Sequence, residues 1–262
     1  MSAVPSRVFV VVSARMASSR CPGKAMALLA GRPLLEVLLE RMADARGVDG
    51  VVLATSTRAE NDALARLAEQ MGFGVFRGDE DDVLRRHVDC ARAIGAGHVV
   101  RVTGDNPLTD VETLERLVAR HVAERADYTY VPGDALLMGI LSEVVSRPAL
   151  ERSWEKGEPR HRSELMTLYI KEHPDEFRVV AEALPEGLYR PEYRLTVDEA
   201  DDLALMRQIF ARLPRPGRRL TTREAIALLD REPELARINA HLRHKPANIR
   251  SVALDAGIVG KR

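Results

Sequence analysis

Residues 8–12 read Val-Phe-Val-Val-Val, an apolar run without polar alternation. A strand with one face in water alternates apolar and polar residues. A continuous run instead suits a strand covered on both faces, as in a parallel sheet. A second short buried strand is expected at 51–54, a third strand at 74–76 and a fourth at 98–102. Between these stretches lie helical patterns. Over 33–46, Leu34, Leu35, Val37, Leu38, Leu39 and Met42 form an apolar face, with Glu36, Glu40 and Arg41 outside it. Pro33 suits the first turn of that helix and Gly47 its stop. A second helix is expected at 60–71, closed by Gly72, and a third ends near Ile94. Four strand–helix alternations predict an α/β fold. Its core is a mostly parallel sheet with right-handed crossovers, a Rossmann-like nucleotide-binding layer.

The character of the chain changes abruptly after the first strand. Residues 13–24 read Ser-Ala-Arg-Met-Ala-Ser-Ser-Arg-Cys-Pro-Gly-Lys. Arg15, Arg20 and Lys24 supply positive charge. Arginine can grip phosphate oxygens with its fork, and lysine acts as a mobile point charge. Gly23 lets the backbone approach a ligand, and Pro22 stiffens the turn. A loop at the carboxyl end of a parallel strand is where open α/β sheets bind ligands. On composition alone, a solvated basic turn explains the stretch equally well. The phosphate-loop pattern G-x-x-x-x-G-K-[ST] and the fingerprint G-x-G-x-x-G are both absent from this loop.

A chain of 262 residues allows one large domain with a sizeable core. Lys plus Arg number 39, as do Asp plus Glu. That balance argues against general nucleic-acid binding but permits a local basic pocket. Cys21 and Cys90 form no C-x-x-C pair, which suits reduced thiols. No signal-peptide pattern opens the chain, and no apolar stretch nears the ~20 residues of a membrane span. A soluble, cytoplasmic protein is the expectation.

Two further stretches carry chemistry. Thr-Gly-Asp-Asn-Pro-Leu, residues 103–108, follows the fourth strand directly. Asp105 therefore belongs on the same sheet edge as the basic loop. Such an aspartate is commonly a turn former. Beside a triphosphate it would also suit Mg²⁺, which takes one or two carboxylates plus phosphate oxygens and waters. Residues 193–203 read Tyr-Arg-Leu-Thr-Val-Asp-Glu-Ala-Asp-Asp-Leu. The alternation predicts a strand at 193–197, with Asp198 at the junction to a helix, where it suits an N-cap. Asp201 and Asp202 read as charges of the first helical turn. The acidic run 79–82 likewise reads as a helix start. Elsewhere the pattern predicts helices at 111–124, 147–154, 162–173, 202–213, 222–230 and 233–239. Strands are expected at 127–131, 139–146 and 177–180, and a turn at 214–217.

S-A-R-M-A-S-S-R-C-P-G-K resembles the opening signature of cytidylyltransferases that activate sugars and sugar acids. It is most similar to the spore coat polysaccharide biosynthesis protein F family, whose loop usually reads Q-A-R-M-G-S-S-R-L-P-G-K. CMP-KDO and CMP-acylneuraminate synthetases carry related loops. R-G-D-E-D-D-V-L-R-R, T-G-D-N-P and R-L-T-V-D-E-A-D-D-L resemble that family's later motifs in the same order, so the similarity spans roughly 8–245.

The resemblance implies a nucleotide-diphospho-sugar transferase fold with a central acceptor and dimerisation segment. Residues 1–245 would form one domain, with a nucleotide half at 8–131, an acceptor half at 132–245 and a tail at 246–262. Ser13, Ala14, Arg15, Ser18, Ser19, Arg20, Gly23 and Lys24 would hold the nucleotide, with Arg77, Asp82, Thr103 and Gly104. Arg15 and Lys24 would be catalytic. Asp105 and Asp198 would hold Mg²⁺, and Gly139, Glu143 and Glu164 would face the acceptor.

The implied reaction is CTP-dependent, forming a CMP-sugar, CMP-sugar acid or CDP-linked product with release of pyrophosphate, in a possible homodimer. The chain departs from the family where Leu141 replaces an aspartate, Leu165 a histidine and Leu168 a proline. His161 and Arg162 could compensate, or could simply be exposed residues at a helix start. Two alternatives stay open. One is a related transferase with another nucleotide or a phosphorylated acceptor. The other is a sugar-nucleotide-binding protein with impaired turnover.

Overall fold

The computed structural model describes residues 6–18, 20–133, 137–213 and 219–242. Ser19, the predicted turn at 214–217 and the predicted tail at 246–262 lie outside the described residues. Nine strands occur among the described residues. They are β1 (Val8–Ser13), β2 (Leu28–Leu29), β3 (Arg32–Pro33), β4 (Gly50–Ser56), β5 (Gly74–Gly78), β6 (His98–Thr103), β7 (Tyr128–Tyr130), β8 (Glu143–Ser146) and β9 (Val179–Ala181). Seven join one sheet in the order β5-β4-β1-β6-β8-β7-β9. β5, β4, β1 and β6 are mutually parallel, as are β7 and β9. β8 runs antiparallel to both of its neighbours. β2 and β3 form a separate small hairpin.

The helices are α1 (Leu34–Ala43), α2 (Asp62–Gln70), α3 (Val83–Ala93), α4 (Val111–Ala123), α5 (Arg147–Lys156), α6 (Leu168–Glu172), α7 (Ala200–Arg212), α8 (Thr222–Arg231) and α9 (Pro233–Ala236). They cover both faces of the sheet, and the side-chain alternation of β1 shows how. Val8, Val10 and Val12 point to one face, where α1, α2 and α4 supply Leu35, Leu38, Leu64, Leu114 and Leu117. Phe9 and Val11 point to the other, where α3, α5 and α6 supply Leu84, Val88, Leu150 and Ile170. The run at 8–12 is apolar because both faces of its strand are buried. A third cluster joins α7 and α8 to the chain around Leu195 and Val197.

Several expectations need correction. The strand foreseen at 139–146 is confined to Glu143–Ser146. The helix foreseen at 162–173 is a 3-10 turn, Pro159–Arg162, followed later by the short α6. The alternating stretch 193–197 forms no strand, only an isolated bridge between Met138 and Arg194. Leu195 and Val197 do enter the core, but their amides donate to two different segments, at Met138 O and Asp105 O, so no ladder builds. The β2–β3 hairpin went unforeseen. Its turn places both Ala30 (φ 47°) and Gly31 (φ 84°) in the left-handed region, and alanine there carries no sequence signal.

Candidate active site

β1 and β6 lie side by side with Ser13 opposite Thr103. From β1 the chain moves outward to β4 and β5. It then returns across β1 to reach β6. The strand order reverses between these two strands, and in open α/β sheets the crevice that takes the ligand lies at such a reversal, at the carboxyl edge. The loops that follow the two strands touch at their roots. The Gly104 amide donates to Ser13 O at 2.8 Å. A Cβ on Gly104 would lie 2.5 Å from Ala14 Cβ, so this close approach requires glycine. The loop after β1 folds back on itself. The Gly23 amide donates to Met16 O at 3.1 Å, and the Cys21 amide to Ser18 Oγ at 3.3 Å. Gly23, with φ 70°, then opens the 3-10 turn Lys24–Met26. Thr103 Oγ1 accepts from Asn106 Nδ2, which shapes the second loop.

Lys24 Nζ stands at the centre of the crevice. It donates to Asp105 Oδ2 at 2.8 Å, to Val197 O at 2.7 Å and to Asp198 Oδ1 at 3.1 Å. Three motifs far apart in sequence thus meet at one ammonium. Burial alone would push its pKa down, but Asp105 and Asp198 hold it above the ordinary lysine value. Arg20 approaches the same Asp198 Oδ1 at 3.2 Å and bonds Glu199 Oε1 at 3.1 Å.

Asp198 is held from behind. Its Oδ2 accepts from Arg194 Nη2 at 2.9 Å. Arg194 also grips Asp202, through Nε at 2.8 Å and Nη2 at 3.0 Å. Asp202 is fully buried and accepts from the amides of Asp198 and Glu199 and from Asn239 Nδ2. These contacts hold its carboxyl below the ordinary range against the effect of burial. Asp202 is therefore no solvated first-turn charge. It builds the loop that presents Asp198. The N-cap of α7 is Glu199 rather than Asp198, which leaves the Asp198 carboxylate aimed at the crevice.

A second polar cluster flanks the crevice on the α3 side. Arg15 Nη1 lies 3.5 Å from Glu80 Oε1, and its Nη2 lies 3.8 Å from Glu164 Oε2 across the opening. Arg86 Nη2 donates to Ser13 Oγ at 3.1 Å. Asn61 bridges Ser56, Glu80 and the Met16 amide. Arg77 and Asp82 have other partners. Arg77 bonds the carbonyls of Ser56 and Arg58 and pairs with Asp62 at 2.7 Å. Asp82 caps α3 and accepts from Trp154 Nε1 at 2.9 Å.

On the β8 side, Glu143 receives Lys171 Nζ at 2.7 Å, Arg101 Nη1 at 3.2 Å, and the hydroxyls of Tyr128 and Thr167. Burial would raise its pKa, but Lys171 and Arg101 hold it down to about 2. Glu164 is largely exposed, and its carbonyl accepts from Arg101. Gly139 packs against backbone: a Cβ there would lie 2.3 Å from Leu195 C. Leu141 packs against the apolar clusters, and Leu165 is partly exposed. His161 is buried, not exposed, and bonds the Glu158 amide and Glu172. Arg162 packs over Trp154.

The cytidylyltransferase family model matches residues 9–216. The chain belongs to the cytidylyltransferase family. It is 34% identical to the spore coat polysaccharide biosynthesis protein SpsF of Bacillus subtilis, over 87% of this chain and 96% of that protein. It is 33% identical to an uncharacterized protein of Methanocaldococcus jannaschii, over 91% of this chain and 97% of that one. A shorter match, 37% identical, covers 42% of this chain and 46% of the 3-deoxy-manno-octulosonate cytidylyltransferase of Anaeromyxobacter dehalogenans. Among solved structures, a cytidylyltransferase from Leptospira borgpetersenii superposes with a TM-score of 0.82 at 24% identity, covering 91% of this chain and 99% of that one. This enzyme thus shares the sheet and helix layers of that fold.

Sequence reasoning placed the basic loop and Asp105 at one sheet edge and joined Asp198 to them through the family resemblance; the structure brings the side chains of Arg20, Lys24, Asp105 and Asp198 together. Arg15 lies at the neighbouring cluster. Sequence reasoning passed over Glu80, Asn61, Arg101, Lys171, Arg194 and Asp202 as site residues. Only the charge in R-L-T-V-D-E-A-D-D could have flagged the last pair. Among the described residues, no group of three or more His, Cys, Asp or Glu gathers that could hold a metal ion. Two carboxylates and a carbonyl around one positive charge is nonetheless the oxygen-only donor set that suits a hard cation sharing phosphate ligands.

Proposed function

We propose that this cytidylyltransferase uses CTP and transfers CMP to an oxygen of a sugar or sugar acid, releasing pyrophosphate, in surface polysaccharide or glycoconjugate synthesis. The carrying observation is the convergence of Arg20 and Lys24 with Asp105 and Asp198 at the strand reversal. The name of the 3-deoxy-manno-octulosonate cytidylyltransferase supports the nucleotide and the acceptor class, and that of the spore coat relative supports a role in polysaccharide synthesis. In this reading the acceptor oxygen attacks the α-phosphorus of CTP. The bond to the bridging oxygen breaks, and pyrophosphate leaves.

The chain's own residues position and neutralise charge, which is most of what such transfers need. Lys24 and Arg20 meet the β- and γ-phosphates and balance the charge that grows on the leaving group. Arg15, Ser13, Ala14, Ser18, Ser19, Gly23, Thr103 and Gly104 border the nucleotide, with Arg77 and Asp82 supporting that side from a distance. Asp105 and Asp198 would hold Mg²⁺, which when bound adds positive charge beside the phosphates. Glu143, pinned by Lys171 and Arg101, orients the acceptor together with Glu164, and Gly139 shapes the adjoining backbone. Residues 8–131 serve the nucleotide and 132–245 the acceptor, within one domain.

Among the described residues, no helix is long and apolar enough to cross a membrane. A cytoplasmic setting fits that fact and the need for CTP. A homodimer belongs to the same reading, and light scattering tests it. The main test is pyrophosphate release with CTP, ATP, GTP and UTP across sugar acids, sugars and sugar phosphates. Release with CTP and one acceptor is expected. Release only with another nucleotide overturns the CTP assignment.

A further inference from the structure

We infer that Lys24 and Arg20 close the two-carboxylate site to divalent cations in the nucleotide-free protein, so that metal enters with the polyphosphate and not before it. The ammonium occupies the point on which Asp105 Oδ2, Val197 O and Asp198 Oδ1 converge. A Mg²⁺ ion bonded to those oxygens at about 2.1 Å would need the same space. Ammonium and metal therefore exclude one another there.

The charges point the same way. Asp105 and Asp198 face two cationic side chains, Lys24 and Arg20, and both reach Asp198 Oδ1. One divalent ion carries the same charge as the pair. A polyphosphate that draws both side chains out leaves two carboxylates facing the crevice, and a divalent ion restores the balance. The frame around them stays fixed. Arg194 holds the opposite oxygen of Asp198 and is itself locked to the buried Asp202. Among the described residues, the three oxygens that converge here fall short of a six-ligand shell, and phosphate oxygens are the natural remainder. Lys24 thus has two positions, one on the carboxylates and one on the phosphates.

This inference rests on the proposed function only for what draws Lys24 away. Its test contains no nucleotide. Mn²⁺ is titrated into wild type, Lys24→Met, Lys24→Gln and Lys24→Met combined with Asp105→Asn, with free ion followed by electron paramagnetic resonance. Folding of each variant is checked by its melting transition. Both Lys24 variants are expected to bind Mn²⁺ at least tenfold more tightly than wild type, and adding Asp105→Asn abolishes the gain. A folded Lys24 variant with wild-type affinity overturns the inference. So does stoichiometric Mn²⁺ uptake by the wild type during titration, whatever the variants do. Tightened binding in the variants, with no pyrophosphate released from CTP by wild type, rejects the proposed function and leaves this inference standing.

Discussion

At the residue scale, the Lys24 ammonium and the Asp202 carboxylate make the most informative targets. Lys24→Ala should lower kcat for pyrophosphate release by about 10²–10³-fold, the usual loss when one preorganised charge is removed from a transition state. Steady-state kinetics check this, and near-normal turnover rejects the phosphate role. Asp202→Asn strips the partner from Arg194, whose side chain is 7% exposed. Leaving that guanidinium buried and half-paired should cost about 3–5 kcal/mol, read by urea denaturation. The two residues differ in how they showed in the sequence. Lys24 stands in a dense basic loop with Pro22 and Gly23. Asp202 shows only as one more charge in R-L-T-V-D-E-A-D-D, and an acid in the first turn of a helix is ordinary. Its burial depends on Arg194 and on Asn239, which lies 37 positions away.

At the element scale, the contact between the loops that follow β1 and β6 tolerates little change. Gly104→Ala would force a methyl to 2.5 Å from Ala14 Cβ. The backbone must shift, at a cost of about 1–3 kcal/mol, and the two loops should separate. Reduced stability together with reduced turnover is the expected pair of results. Thr221→Ala should behave differently. Thr221 and Glu224 form the capping box of α8. Losing it should cost about 1 kcal/mol with unchanged turnover, which calorimetry and kinetics together check. β1 and β4 were legible because two buried faces demand unbroken apolar runs. Residues 193–197 were not. Leu195 and Val197 alternate as a strand does, yet the sequence cannot say that their amides answer two different segments. The side-chain period of β1 foretold burial on both faces, whereas the antiparallel course of β8 depends on pairing that no local pattern encodes.

At the scale of the whole molecule, buried titratable groups set the response to acid. His87 and His121 are fully buried, and burial pushes each pKa down to about 3. In the unfolded chain they titrate near the ordinary 6.5. Below that value the unfolded chain binds more protons than the folded one. Stability therefore falls as pH drops from about 6.5, at up to about 1.4 kcal/mol per pH unit for each histidine. Glu143, held at about 2, adds its loss only below its ordinary 4.5. Urea denaturation across this range should show the decline beginning above the carboxylate region, and His121→Gln should flatten it. A flat profile down to the carboxylate region would reject the buried, neutral state of these rings.

The clamp on Asp198 also bears on how the enzyme comes into being. The basic loop at 13–24 is synthesised well before Asn239, whose Nδ2 steadies Asp202. A nascent chain halted before that point carries the basic loop without a secured carboxylate opposite it. The clamp behind Asp198 is thus completed only once Asn239 has been made, long after the basic loop that it faces.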